Sequence, residues 1–280
     1  MTPIERVAIV GLGLIGGSLA RALAERDVHV LGYDSAPDSL DAAEGEGIVH
    51  ERLNAQLGGI EAADVVVLAL PVDATLAVLS RIAPRLGSTR LVMDVASTKR
   101  SIVAAAEAAG LGVHYVGAHP LTGSHRSGWR ASRAGLFEEA RVFLCPTSST
   151  DAGALELAEA FWRGLRAGVE VLDAATHDEQ MAWRSHLPHV LSTALALTLR
   201  DAGIQRSVLG PGGRDMTRLA GGAPSIWTSI VADNVVALGG ALDAIERQIH
   251  DLRALLDSGN TVATHEFFSG GCDWFDGAPM

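Results

Sequence analysis

Gly11-Leu12-Gly13-Leu14-Ile15-Gly16 directly follows a short β-branched run and opens a stretch of helical period. Glycines at this spacing between strand and helix suit a phosphate cradle. Gly11 permits a tight turn, Gly13 lets the backbone approach a pyrophosphate, and Gly16 allows the helix to pack close to the strand. The free N–H groups at the helix start then face the phosphates. Asp34 lies roughly 20 residues on, at the end of the next strand-like run, where a carboxylate accepts hydrogen bonds from ribose hydroxyls. Ser35, Ala36 and Pro37 follow, with no Arg or Lys to receive a 2′-phosphate. The implied cofactor is NAD rather than NADP, with Gly11, Gly13, Leu14, Ile15, Gly16 and Asp34 as its binding set. Leu70 and Pro71, after a later apolar run, fit either a ribose contact or a plain strand terminus.

Three further polar segments have residue types that do chemistry. Asp94-Val95-Ala96-Ser97-Thr98-Lys99 and Gly117-Ala118-His119-Pro120-Leu121-Thr122-Gly123 each end a strand-like run. Ser185-His186-Leu187-Pro188-His189 and Gly213-Arg214-Asp215-Met216-Thr217-Arg218 belong to helical stretches. Together they offer a histidine for proton transfer near neutral pH, a serine to orient it, and arginines that bind carboxylates in a bidentate fashion. Ser97 and Thr98 equally fit caps of the next helix. Arg214 with Asp215 also fits a structural ion pair, and Met181 and Trp183 fit core or interface. His186 and His189 are three residues apart, but no third ligand stands at metal spacing, so no metal is expected. No GxSxG elbow supports a hydrolase.

The elements that would position these groups read as an alternating β/α half followed by a helical half. Strand-like runs cover 7–10, 28–33, 65–70, 91–95, 113–116, 142–145 and 168–172. Helical periods cover 14–26, 73–86, 99–109 and 151–167. Such alternation predicts βαβ units on a parallel sheet. Beyond 173 the strand-like runs stop, and 177–201, 207–219 and 225–258 read as helices, the last with a bend near Gly239-Gly240. The tail from 258 to 280 has no clear period and reads as irregular. The expected fold is a Rossmann-type α/β domain over residues 1–173, then an all-helical domain over 174–280.

Bulk composition narrows the partners. A net charge of −11 argues against nucleic acid, so an anionic substrate needs a local cationic cluster. Cys145 and Cys272 form no CxxC pair, which fits a reducing cytoplasm. The stretch 7–20 is broken by four glycines and lacks a signal-peptide layout. No run reaches the ~18 apolar residues of a membrane span. A cytoplasmic location, with neither membrane nor nucleic-acid partner, is expected.

In this order and at these separations, GLGLIGGS, DVASTK, GAHPLTGSHRSGW, HD…SHLPH and GGRDMTRLA resemble the prephenate/arogenate dehydrogenase family, over about residues 7–234. The resemblance implies NAD-dependent oxidative decarboxylation of a cyclohexadienyl substrate, in a dimer formed through the helical domain. Position by position, it implies that His119 is the catalytic base toward the ring hydroxyl and that Ser97 holds that hydroxyl and the histidine. Arg218 would bind a substrate carboxylate, His189 and Ser185 would line the pocket, and Trp227 would close it. Arg214 and His125 complete the cationic substrate-binding set.

The chain departs from the family pattern in places. Ser124-His125-Arg126 is basic where some members carry an acid, and Gly213 stands where an aromatic is frequent. Too few residues follow the helices for a regulatory ACT-type domain. Prephenate is the expected substrate, since an acid-poor, cationic pocket suits a dianionic keto acid better than the ammonium of arogenate. Arogenate and 4-amino-4-deoxyprephenate remain alternatives. A β-hydroxyacid dehydrogenase would need a helix-borne lysine, which the C-terminal half lacks. A non-catalytic NAD sensor would have no use for His119, Ser97 and Arg218.

Overall fold

The computed structural model describes residues 3–123 and 128–277, so His125 and its neighbours lie outside the described residues. Two compact units follow one another, Met1–Asn234 and Val235–Met280. In the first, the chain runs β1 (Arg6–Val10), α1 (Leu14–Ala24), β2 (His29–Tyr33), α2 (Pro37–Gly45), β3 (Glu51–Arg52), β4 (Val65–Leu68), α3 (Val72–Ile82), β5 (Leu91–Asp94), α4 (Arg100–Ala108), β6 (Tyr115–Pro120), β7 (Arg141–Pro146), α5 (Ala152–Gly164) and β8 (Gly168–Val171). Helices α6 (Ala174–Met181), α7 (Leu187–Asp201), α8 (Pro211–Met216) and α9 (Pro224–Asp233) complete it. The second unit holds α10 (Val235–Ser258) and α11 (Thr261–Phe275). Among the described residues no single helix is long and apolar enough to cross a membrane.

The strands form one sheet in the order β3-β2-β1-β4-β5-β6-β7-β8. Its first six strands are parallel and follow the Rossmann order, with the β1–β4 switch point beside the glycine loop. Alternation of side chains along the buried strands builds two cores. Val7, Ile9, Val116 and Ala118 face one layer with Leu19, Phe161 and Trp162. Ala8, Val10, Val66 and Tyr115 face the other with Leu79 and Ile102.

Several expectations need correction. The sheet is not wholly parallel: β7 runs antiparallel to β6, and β8 follows β7. Between β6 and β7 the described residues make only 3-10 turns, with no crossover helix to carry the chain back for a parallel pairing. Helix α2 and the two-residue β3 were not anticipated. The helix read over 207–219 is a short α8 flanked by 3-10 turns. The long helix breaks at Asn234 rather than at Gly239-Gly240, which lie inside α10. The Asn234 side chain is committed to tertiary hydrogen bonds, with Asp178 O at 2.7 Å. The tail is helical, not irregular: Asn260 caps α11 by accepting from Ala263 N at 3.0 Å, and Gly277 at φ +72° supplies a left-handed stop.

Between α6 and α7 the backbone forms one π-helical turn, Ala182–His186. Pro188 enters the first turn of α7, where its ring would crowd the carbonyl four residues back, and the wider turn relieves this. That turn carries Ser185 and His186.

At the end of β5, Lys99, the only lysine of the sequence, is fully buried and ion-paired with Asp94. Tyr115 donates its hydroxyl to the other Asp94 oxygen at 2.5 Å, and Ala96 N reaches the carboxylate at 2.8 Å. Removing one member of such a pair leaves an uncompensated charge. Lys99→Met is therefore expected to lower the unfolding free energy by about 3–5 kcal/mol in denaturant titration. A loss below about 1 kcal/mol would mean that Asp94 finds water or a proton instead.

Candidate active site

The glycine loop is shaped by packing at two of its three positions. Gly11 has φ +96°, and a Cβ there would stand 2.3 Å from Ala69 O. A Cβ on Gly16 would stand 1.8 Å from Gly11 O. A Cβ on Gly13, by contrast, would meet nothing within 4 Å. Protein packing does not demand that third glycine, so its open face fits the close approach of a ligand. Gly13 is also the N-cap of α1, which has no side-chain cap and no acid in its first turn. These features fit a dinucleotide pyrophosphate. Leu70 flanks Gly11, since its Cδ2 would lie 3.1 Å from a Cβ there, and Pro71 caps α3. Asp34 accepts from Leu12 N at 2.6 Å and Ala36 N at 2.8 Å. It therefore braces the loop.

His119 lies on β6, at the same C-terminal sheet edge as the glycine loop, and is buried. Its Nδ1 is 2.8 Å from His177 Nε2, and His177 Nδ1 is 2.7 Å from Asp178 Oδ1. The Asp178 carboxylate also accepts from Lys99 N at 2.8 Å and Arg100 N at 2.9 Å. Those are the N–H groups of the N-cap residue and of the first residue of α4, which has no local side-chain cap. The cap comes from Asp178, not from Ser97 or Thr98, and Thr98 Oγ1 is buried without a partner. Ser97 is half-buried and makes no hydrogen bond with His119 among the described residues.

The titration behaviour follows from these surroundings. Burial opposes ionisation of Asp178, but hydrogen bonds from His177 and from the Arg100 and Lys99 backbone outweigh it and hold the carboxyl below its usual range. Burial keeps His119 neutral to well below the ordinary histidine range, helped by charges on His177, Lys99 and His186. His177 is also lowered by burial, against the pull of Asp178. Burial pushes His186 down to about 4.

A second cluster adjoins the first. Asn234 Nδ2 donates to Asp178 O at 2.7 Å and stands 3.2 Å from His186 Nδ1. The Asp178 carbonyl can only accept, so the amide nitrogen must donate to both, and His186 carries its proton on Nε2. That nitrogen is buried and has no partner. Trp227 packs edge-on to His186 and stacks on His189, with ring centroids 3.5 Å apart. Burial lowers His189, the Ser185 carbonyl raises it, and the Arg218 charge lowers it. His189, Ser185, Trp227 and Arg218 thus come together. Arg214 instead donates to Leu209 O at 2.8 Å, and it pairs neither with Asp215 nor with any other carboxylate among the described residues. Trp183 is exposed, whereas Met181 is core. His177, Asp178 and Asn234 were not expected at the site, whereas His186 belongs to the polar segment 185–189. The only signal was the His177-Asp178 dipeptide within the family-like motif, because no spacing rule connects it to His119.

A Rossmann sheet with a dinucleotide loop and a buried histidine at its C-terminal edge defines a nucleotide-binding oxidoreductase. Two family descriptions match consecutively: "Prephenate dehydrogenase, nucleotide-binding domain" over residues 19–171 and "Prephenate dehydrogenase, dimerization domain" over 173–269. The chain belongs to the prephenate dehydrogenase family. It is 30% identical to the prephenate dehydrogenase of Bacillus subtilis (strain 168), across 99% of this chain and 76% of that one. The crystal structure of prephenate dehydrogenase from A. aeolicus in complex with hydroxyphenyl propionate and NAD+ superposes with a TM-score of 0.90 at 28% identity, covering 99% of both chains. Synechocystis arogenate dehydrogenase gives 0.81 at 28% identity, covering 98% of this chain and 100% of that one.

The buried histidines make stability pH-dependent. Folding holds His186 neutral down to about 4, while an unfolded histidine takes its proton near 6.5. Between those values the unfolded state binds more protons, so stability is intact above about 6.5 and is lost as pH falls toward 4. A shift of this size is worth on the order of 3 kcal/mol. The Tm of the wild type should fall across that window, and His186→Gln should flatten the slope. An unchanged slope in the variant would assign the acid sensitivity elsewhere.

Proposed function

We propose that this enzyme catalyses the NAD-dependent oxidative decarboxylation of prephenate to 4-hydroxyphenylpyruvate, with His119 as the general base. The observation that carries this reading is His119 itself. It is a buried, neutral imidazole with Nδ1 committed to His177 and Nε2 left for a substrate hydroxyl, at the sheet edge that holds the dinucleotide loop. Gly11, Gly13, Leu14, Ile15, Gly16, Asp34, Leu70 and Pro71 hold the cofactor in this reading. Bound NAD+ supplies the hydride acceptor.

His119 takes the proton of the ring hydroxyl as its carbon becomes a carbonyl carbon. Ser97, free of the helix cap, orients that hydroxyl. Loss of the ring carboxylate as CO2 then sends its electron pair through the ring to that carbonyl oxygen, which takes the proton back from His119 as the ring becomes aromatic. The protein's work is therefore positioning, moving one proton out and back, and charge complementarity. Arg218 and His189 face a substrate carboxylate, with Ser185 and Trp227 enclosing the ring side. Arg214 and His125 remain proposed members of the cationic surroundings. Prephenate is favoured over arogenate because, among the described residues, no acid joins the His189, Trp227 and Arg218 cluster. The 4-amino analogue is not separated by this, since His119 and Ser97 suit a ring amine as well as a hydroxyl. Asp178, the buried acid of the adjoining cluster, already accepts hydrogen bonds from three protein groups.

The proposed division is a dinucleotide-binding domain over 1–173 and a helical domain over 174–280, acting in the cytoplasm as a homodimer through the helical part. Exposed Val236, Phe268, Trp274 and Phe275 on α10 and α11 support a further partner surface there.

Absorbance of reduced nicotinamide, followed with NAD+ or NADP+ and each of the three compounds, tests the reading. Prephenate with NAD+ should give the highest kcat/KM, and His119→Ala should lose about 10²–10⁴ in kcat while remaining folded. An advantage of about tenfold for arogenate or the amino analogue would overturn the substrate assignment. Arg218→Ala should weaken substrate binding by roughly 10- to 150-fold, the worth of one charge-assisted hydrogen bond. NAD+ affinity should hardly change; if it alone suffers, Arg218 belongs to the cofactor site.

A further inference from the structure

We infer that Asp178 and His177 are positioning residues that dictate which nitrogen of His119 carries its proton, and so make Nε2 the base. The inference rests on reading His119 as the base. It starts from Asp178, whose carboxylate accepts from Lys99 N, Arg100 N and His177 Nδ1. An ionised carboxylate only accepts, so the His177 proton sits on Nδ1. In neutral His177, Nε2 is then a lone-pair nitrogen. It stands 2.8 Å from His119 Nδ1, and one of the two must donate. The donor is His119 Nδ1–H, which leaves the lone pair of His119 on Nε2. The tautomer is thus passed along two rings from a carboxylate that never touches the substrate.

The same chain answers an electrostatic difficulty. Burial and the Lys99 charge disfavour a proton on His119, yet a base must carry one during turnover. Lys99 is already balanced by Asp94. With the histidines neutral, Lys99, Asp94 and Asp178 leave the buried cluster with one surplus negative charge, on Asp178. When Nε2 takes the hydroxyl proton, the imidazolium neutralises that surplus. Nδ1–H stays on His119, strengthened by the His177 acceptor, and no proton needs to reach Asp178. The other charged or titratable group felt at His119 is His186, itself held neutral by burial.

Nitrogen-15 NMR of histidine-labelled protein reads the tautomer directly and needs no substrate. A lone-pair ring nitrogen and a protonated one resonate far apart, and His119 is assigned by the signals lost in His119→Asn. At pH 7.5 the wild type should show His119 protonated at Nδ1 and bare at Nε2. Protonation at Nε2 would refute the inference whatever the kinetics show. His177→Gln leaves the backbone hydrogen bonds of Asp178 intact and still offers His119 an acceptor, so it should keep the wild-type tautomer and most of kcat. His177→Leu should lose the tautomer preference and about 10²-fold in kcat, with KM and NAD+ affinity nearly unchanged. Equal losses in the Gln and Leu variants would overturn the positioning role. Asp178→Asn keeps an acceptor at the place of Oδ1, where Lys99 N and His177 Nδ1 donate. It should therefore keep the Nδ1–H form of His119 while kcat falls with the lost charge, and its NMR readout stands even where a weaker α4 cap lowers Tm. A correct tautomer in an enzyme that oxidises none of the three ring compounds would instead count against the proposed reaction.

Discussion

One buried carboxylate, Asp178, joins the parts of this molecule that matter for chemistry. Its two oxygens close the N-terminus of α4 and hold His177, while its backbone carbonyl receives Asn234 at the end of α9. The interaction is favourable because three donors converge on one charge at a helix start, where the peptide dipoles also favour a negative group. It is stringent for the same reason. The N–H groups of Lys99 and Arg100 at the start of α4 have no side-chain acceptor of their own helix, so any shift of α6 leaves them unsatisfied. Helices α6 and α9 are thereby tied to the start of α4 beside the base itself.

Beside it sits a second buried charge system of a different kind. Lys99, Asp94 and Tyr115 satisfy one another at the foot of α4, and burial of Tyr115 with the Asp94 charge pushes its hydroxyl pKa well up, so it stays a donor. Buried pairs of this type contribute little net stability relative to apolar packing. Here Asp94 offsets part of the Lys99 charge, which still disfavours a proton on His119, while the Asp178 charge pulls His177 and His186 upward.

Much of the α/β half was legible because its signals are local. Glycine spacing, β-branched runs and the Asp34 position each follow from contacts within one βαβ unit. What escaped the sequence depends on partners far along the chain. Helix α2 and strand β3 are short and weakly periodic. The break at Asn234 arises from hydrogen bonds to residues in α6 and in the π-helical turn, so the nearby glycine pair was a misleading cue. The tail helix was hidden by its glycines and aromatics, although the cap at Asn260 and the stop at Gly277 are ordinary sequence signals. At the site, His119, His189, Trp227 and Arg218 stand out by residue type. His177 and Asp178 do not, because a histidine beside an aspartate reads as any polar helix turn until β6 is placed against it.

The unforeseen antiparallel strand has a structural consequence for the base. Pairing between β5 and β6 ends at Asp94 with Gly117, so the parallel sheet gives His119 no neighbour on that side. On the other side β7 continues, pairing His119 with Phe143 and Pro120 with Val142. Strand β6 thus reaches beyond the parallel edge only because β7 returns alongside it. Phe143 then packs edge-on against His177 at 5.5 Å, so the residue that fixes the His119 backbone also fixes the ring to which His119 donates. A base on a loop would have neither restraint. The reversal of strand direction, which the alternating pattern hid, places His119 on rigid backbone at the point where the sheet opens toward its ligands.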